Sequence, residues 1–329
     1  MTVHRSATFT ILIGLTICLS SAVQAGSNAG MAGAFLRMGL GARALGMGDV
    51  GVAIPGDGFG IFYNPAALPH LQHKTFMASY SYLSLERRYH FIGFAAPLHP
   101  PAGQAGEQLQ AGLGIGWINA GPGTLEGRDS DGNPAGTFEN SENAFYVSFG
   151  LRITNQVAIG ISPKVLYNTF PDISGGESLY STRLGFDAGL LINPWRTLYL
   201  GVQARHINAQ YRWDTSTLWG DEGTVQTDKF PRIYRIGASY NLPFGLLLAG
   251  EYETSDQEAQ ELHWGGEYTL AASDQFRILT RAGYDDGDYA LGLGFGFSYW
   301  SLTGQLDYVY QIQEIPPFDS QVISLSVQF

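Results

Sequence analysis

Cysteine is almost missing from this chain: Cys18 is the only one in 329 residues, and it lies in the N-terminal apolar run. Beyond that run, thiol catalysis, a disulfide framework and Cys-type zinc sites are therefore excluded. Positive charge is also scarce. Eighteen Lys and Arg stand against 29 Asp and Glu, a net charge of −11. No basic stripe is visible, so nucleic acid is not expected as a partner. Lysine is rarest, three against fifteen arginines, which favours forked ion pairs over a coat of solvated ammonium groups. Past residue 25 there is no apolar stretch near the roughly 18 residues that a spanning helix needs. With 45% hydrophobic residues, 43 glycines and only 14% charge, the apolar content must be spread over many short strands.

The first residues carry His4 and Arg5, then an apolar run from Ile11 to Leu19, then a small-residue exit at Val23, Gln24 and Ala25. That layout predicts a secretory signal over residues 1–25. A lipoprotein cleavage at Cys18 would need a small residue before it, and Ile17 is not small.

From Thr75 onwards, segments of about 9–12 residues place apolar groups at every second position, which makes one face of a strand greasy. Leu291, Leu293, Phe295, Phe297 and Tyr299 alternate with Ala290, Gly292, Gly294, Gly296 and Ser298. Fourteen such segments are predicted, at 75–83, 90–97, 108–119, 142–153, 156–168, 182–193, 197–210, 230–240, 246–254, 261–270, 276–284, 290–299, 301–311 and 321–329. The breaks alternate between tight turns and long connections (120–141, 169–181, 211–229 and 312–320), with 98–107 longer than that rule predicts. An even strand count with short turns on one rim and long loops on the other predicts an antiparallel transmembrane β-barrel of an outer membrane. A soluble lipocalin-like or propeller-like protein would need its other stripe to be a good water-facing surface, and here that stripe is too glycine-rich. Tyr and Trp gather at segment ends, where amphipathic rings meet lipid headgroups.

Residues 26–74 break the pattern. They contain Gly41-Ala-Arg43-Ala-Leu-Gly46-Met-Gly48 and Asn64-Pro65-Ala66-Ala-Leu68. Asn64 is suited to cap, and Pro65 to begin, a single helical turn. So much small, apolar sequence is predicted to fill the wide lumen as a hatch or plug, leaving residues 75–329 as the barrel. The Gly39 and Gly41 pair lacks the spacing and preceding strand of a dinucleotide site.

These motifs, together with Phe35-Leu-Arg-Met before them and the closing Leu306-Asp-Tyr-Val-Tyr310 and Ile323-Ser-Leu-Ser-Val-Gln-Phe329, resemble the PorV/PorQ family of the FadL-like barrel superfamily. The resemblance spans the region from residue 26 to the end. It implies a fourteen-stranded barrel with an N-terminal hatch. It also implies one of two roles: an accessory of type IX protein secretion engaging a secretion channel or its cargo, which is the leading expectation, or a passive channel for hydrophobic small molecules.

By strand parity, Lys164, Arg183, Asp187, Arg205, Arg235, Glu267 and Asp307 should face the lumen, with Arg277 and Arg281 beside them. They are expected to form an ion-pair lattice gripping the hatch through Arg37, Arg43, Asp49 and Asp57. Phe170, Trp213, Trp219 and Phe318 fall in the long connections as contact candidates, for a ligand, for a partner or for one another. Gly112, Gly114 and Gly116 are where a lateral gap in the wall is expected, since glycine weakens pairing. No Gly-x-Ser-x-Gly elbow and no His-x-x-x-His spacing occurs, so neither an enzyme nor a metal or cofactor site is expected. Outer-membrane lipid is the remaining expected partner.

Overall fold

The computed structural model describes residues 28, 30–98, 110–123, 125–128, 131–174, 177–273, 275–314 and 319–329. The expected signal segment, most of the 98–107 connection and Phe318 lie outside the described residues. The strands are β1 (Thr75–Tyr82), β2 (Arg88–Leu98), β3 (Gln110–Gly121), β4 (Leu125–Arg128), β5 (Pro134–Phe138) and β6 (Ser141–Arg152). There follow β7 (Val157–Ser174), β8 (Glu177–Trp195), β9 (Leu198–Ile207), β10 (Gln210–Asp214), β11 (Val225–Lys229) and β12 (Ile233–Leu242). The last six are β13 (Leu246–Ser255), β14 (Gln260–Ala272), β15 (Phe276–Asp285), β16 (Asp288–Tyr299), β17 (Leu302–Ile312) and β18 (Ser320–Gln328).

Fourteen of these close one antiparallel barrel, β1 pairing with β18, while β4–β5 and β10–β11 are separate hairpins. Closure leaves no edge to satisfy, as a wall in lipid requires. Each barrel strand overlaps one predicted segment. The 169–181 connection is the exception among the loops: β7 and β8 run on through it, with Thr169 opposite Tyr180 and Phe170 opposite Leu179. Cross-strand pairing with the facing segment carries both strands past the ends of their predicted segments.

The pleat sorts the side chains. Leu291 and Leu293 are both 59% exposed on the outer face, as are Ile236 and Val147 at 58% and 57%. The same kind of exposure recurs on strand after strand, a continuous apolar belt far larger than the surface of a water-soluble monomer carries. Aromatic rings mark its borders. Trp195, Phe244, Tyr299 and Trp300 stand out at the short-turn rim, and Tyr82, Tyr180 and Tyr289 at the long-loop rim.

Inward, the wall receives the segment before β1, which folds as short turns (Ala34–Arg37, Ala42–Leu45, Gly60–Tyr63 and Pro65–His70). Asn64 Oδ1 accepts the Ala66 N–H at 3.0 Å and Pro65 holds the first position of its turn. That turn lies on a row of register-paired glycines: Gly112 opposite Gly150, Gly150 opposite Gly160, Gly160 opposite Gly189. A Cβ at Gly112 would stand 2.5 Å from the Leu68 carbonyl carbon, at Gly150 2.3 Å from Pro65 O, at Gly160 2.4 Å from Ala66 N, and at Gly189 2.0 Å from Asn64 Oδ1. Gly265 and Gly283, also register partners, receive Met47 and Gly48 in the same way.

Gly160→Val should therefore weaken docking of the segment by about 1–3 kcal/mol, the cost of overpacking. Limited proteolysis would show cleavage within residues 28–74 while the barrel band persists. Gly250→Val, whose Cβ would meet its first neighbour at an ordinary 3.7 Å, should leave the digestion pattern unchanged.

Candidate functional site

Two regions organise the molecule's chemistry: the charged contact between residues 28–74 and the inner wall, and an interruption of the wall beside the long loops. In the first, two groups of ion pairs hold the segment, and a third pair lies within the wall beside it. Arg43 forks onto Glu267, with Nε 2.9 Å from Oε2 and Nη2 2.8 Å from Oε1, and its Nη1 reaches Asp57 at 3.0 Å. Arg281 extends this chain from Glu267 at 2.7 Å to Asp307 at 2.8 Å. Bidentate geometry gives such pairs direction as well as charge.

Arg235, buried on β12, gathers three acids: Asp49 at 2.8 Å, Glu251 at 3.7 Å and, by a short Nε contact, Glu253. Asp49 needs that fixation, since its backbone has a φ of +61°, a conformation few L residues adopt. Tyr63 donates its hydroxyl proton to Asp49 Oδ1 at 2.5 Å and accepts the Leu40 N–H at 2.8 Å. Burial, then the neighbouring Asp49, raises the Tyr63 pKa well above the usual phenol range. Glu251 Oε1 takes the backbone N–H groups of Gly51 and Val52, both at 2.6 Å.

On β7 and β8, Lys164 and Asp187 pair at 2.6 Å, fully buried. Arg205 caps the Leu36 carbonyl at 2.7 Å and lies over the Phe62 ring at 4.1 Å. Neutral groups add backbone support: Gln203 donates to Phe62 O, Ser239 to Ala53 O, and Ser324 accepts from Ala42 N. At the short-turn rim, burial and then the Arg152 charge bring the His70 pKa down to about 4, so the imidazole is neutral there near pH 7.

Six of the seven residues placed in the lumen by parity are thus buried on the inner wall. Arg183 is the exception: near the loops it is partly exposed and donates to its neighbour's carbonyl, Thr182 O, at 3.0 Å. Its register partner on β7, Leu166, is buried in the core cluster, whereas Arg183 lies where β8 has left its pairing with β9. Arg277 is exposed as well. Arg37 bonds the carbonyls of Asn28, Met31 and Ala32 within its own segment, so it is not a grip on the barrel. The acids Glu251 and Glu253 escaped the sequence reading because only register places them opposite His263, Glu261 and Arg235. Of the motif glycines, Gly41 and Gly48 have φ of +80° and +78°, and Gly46 approaches Arg281.

The second region is where β8 parts from β9. Their pairing breaks register between Ala188–Ala204 and Phe186–Ile207, which is its last rung. His206 and Asn208 both turn through positive φ here, and Asp187 Oδ1 accepts the freed His206 N–H at 2.8 Å. Above this point β8 meets β10 through a side chain, Ser181 Oγ accepting Arg212 N–H at 2.8 Å. Outside, a pocket of 430 Å³ opens among Val165, Thr182, Arg183, Leu184, Asn208 and Gln210, and one of 370 Å³ lies along β8 towards Arg212 and Thr217. Inside, Tyr211 packs edge-on against Phe230 at 4.9 Å, and Trp213 against Tyr211 and Phe170 at 5.6 and 5.4 Å. Trp219 stays half exposed on a separate turn.

This corrects the expectation for Gly112, Gly114 and Gly116. β3 is paired without a break on both sides, and these glycines make room for Leu68, Ile61 and Phe91. Glycine there serves close packing, and the wall opens elsewhere.

No family model and no curated protein matches the chain. Solved structures do. A FadL homologue of Pseudomonas aeruginosa superposes with a TM-score of 0.60 at 13% identity, covering 88% of this chain and 97% of that one. The toluene transporter TbuX of Ralstonia pickettii gives 0.60 at 12%, covering 88% and 97%. The toluene transporter TodX of Pseudomonas putida gives 0.59 at 10%, covering 88% and 99%. At such identities the likeness establishes the fold, a closed fourteen-strand antiparallel barrel of the FadL type.

Removing the Arg235 cation leaves Asp49, Glu251 and Glu253 buried without it. Arg235→Met should therefore cost about 3–5 kcal/mol, read as a lower urea midpoint by tryptophan fluorescence. Arg128→Met, which removes the exposed 3.6 Å contact with Glu126, should cost under about 1 kcal/mol.

Proposed function

We propose that this protein is an outer-membrane channel for small hydrophobic molecules, in which residues 26–74 are the hatch and residues 75–329 the barrel. The observation that carries the reading is the interrupted β8–β9 pairing beside an aromatic cluster. β10 separates the two: Ala209, Tyr211 and Trp213 turn to the cluster, while Asn208, Gln210 and Arg212 flank the outer pockets. An apolar molecule reaching the mouth meets aromatic surface above the hatch and leaves sideways past Val165 and Leu184 into lipid. The hatch then stays in its glycine seat, and no aqueous pore is needed.

The apolar outer belt supports membrane insertion, and the unequal rims support long loops at the cell surface. The fold is shared with proteins described as toluene transporters and monoaromatic hydrocarbon channels, which supports a substrate of that class. The leading expectation from the sequence resemblance, an accessory of protein secretion, draws no support from these likenesses. Two of its contact candidates, Phe170 and Trp213, pack on each other and so are not a free surface for a partner.

Proteoliposomes holding the purified chain should equilibrate labelled toluene faster than protein-free vesicles. Thr182→Trp combined with Leu184→Trp, which crowds the notch from outside, should slow this several-fold without altering the folded band. Wild-type vesicles no faster than empty ones would defeat the channel reading. Unchanged rates in the double variant would remove the sideways exit.

A further inference from the structure

One inward-facing group near the long-loop rim is not used by the ion pairs that hold the hatch. The His263 side chain is 1% exposed. Nδ1 pairs with Asp285 Oδ1 at 2.7 Å, while Nε2 faces Glu261 Oε2 at 4.0 Å and completes no hydrogen bond among the described residues. A buried imidazole with an idle Nε2 lacks a partner that its burial demands.

Strand geometry supplies one. Glu261 lies two residues before His263 on the same face of β14, and Glu253 of β13 is directly opposite Glu261. Like charges so placed repel. Arg235 answers Glu253 but is shared with Asp49 and Glu251. One donor atom each from Glu253, Glu261 and His263 can be chosen so that all three lie within 4.8 Å of one another.

We propose that Glu253, Glu261 and His263 bind a divalent metal ion of the borderline class, Zn2+ foremost, just inside the mouth of the barrel. Two carboxylates and a neutral imidazole are a three-ligand set that leaves a position for water. Asp285 beside the far nitrogen is a positioning residue, as a carboxylate commonly is for a metal-bound histidine. Asp49, which also lies near His263 and Asp285, is bonded to both Arg235 and Tyr63 and remains an ion-pair partner, whereas Glu253 meets Arg235 through Oε2. Glu261 and Asp285 are 33% and 25% exposed as side chains, so an ion can enter from the loop side. This site stands independently of what the channel conducts.

The test is calorimetric titration of the chelator-stripped, full-length protein in detergent with ZnCl2, and separately with MnCl2 and CaCl2, folding being monitored by heat-modifiable migration. Saturable uptake of one Zn2+ per chain is expected, weakened about tenfold or more by Glu261→Gln and by His263→Asn. Glu258→Gln in the adjoining turn should bind as wild type does. Absence of saturable Zn2+ uptake by the folded wild type overturns the proposal. Zn2+ affinity unchanged in the folded Glu261→Gln protein also overturns it, as does binding of Ca2+ alone. Because Glu261 is at the rim, that variant tests the site even where His263→Asn does not fold.

Discussion

Backbone-to-backbone contact between residues 30–74 and the inner wall is the constraint on which the rest of the structure depends. A barrel of fourteen strands is too wide for its own side chains to fill, and here a chain of small turns is pressed directly onto the strands. Contact that close permits no Cβ, so Gly112, Gly150, Gly160 and Gly189 form an unbroken cross-strand row under Asn64–Leu68. Asn64 closes the arrangement by donating to Val52 O at 2.7 Å and to Leu190 O at 3.1 Å. One side chain thus joins two parts of the segment to the wall.

Charge then fixes which way the segment lies. Apolar contact is nondirectional, and a segment held by it alone could slip along a smooth glycine surface. Arg43 forked on Glu267, and Asp49 on Arg235, tie two points of the segment to opposite ends of a run of strands. Burying these ions is costly, and the structure offsets the cost by giving each of them at least one further polar contact. Glu251 on the Gly51 and Val52 amides is the same device with a neutral partner.

The interruption that composition suggested in β3 is absent, and the one in the wall has another physical origin. Glycine in β3 leaves the ladder intact, because a missing side chain does not remove an N–H or C=O. The break at β8–β9 comes from positive φ at His206 and Asn208, neither of which is glycine, and nothing in a single strand's periodicity signals it. The aromatics of the loops are similar. Phe170, Trp213 and Phe230 are far apart in sequence, and only the return of the β10–β11 hairpin over the mouth brings them together.

The sequence by itself determined the fourteen barrel strands and which face of each carries the apolar groups, because a period-two pattern is local and each residue votes for its own side. It also determined that the period-two pattern is absent before Thr75, and that Asn64 and Pro65 begin a turn. Only the tertiary structure decided which glycine lies under which carbonyl, which acid answers Arg235, and that Glu253 and Glu261 share the neighbourhood of His263. Those relations are set by register and closure, which join residues as far apart as Thr75 and Gln328, and such pairings leave no spacing in the sequence to be read.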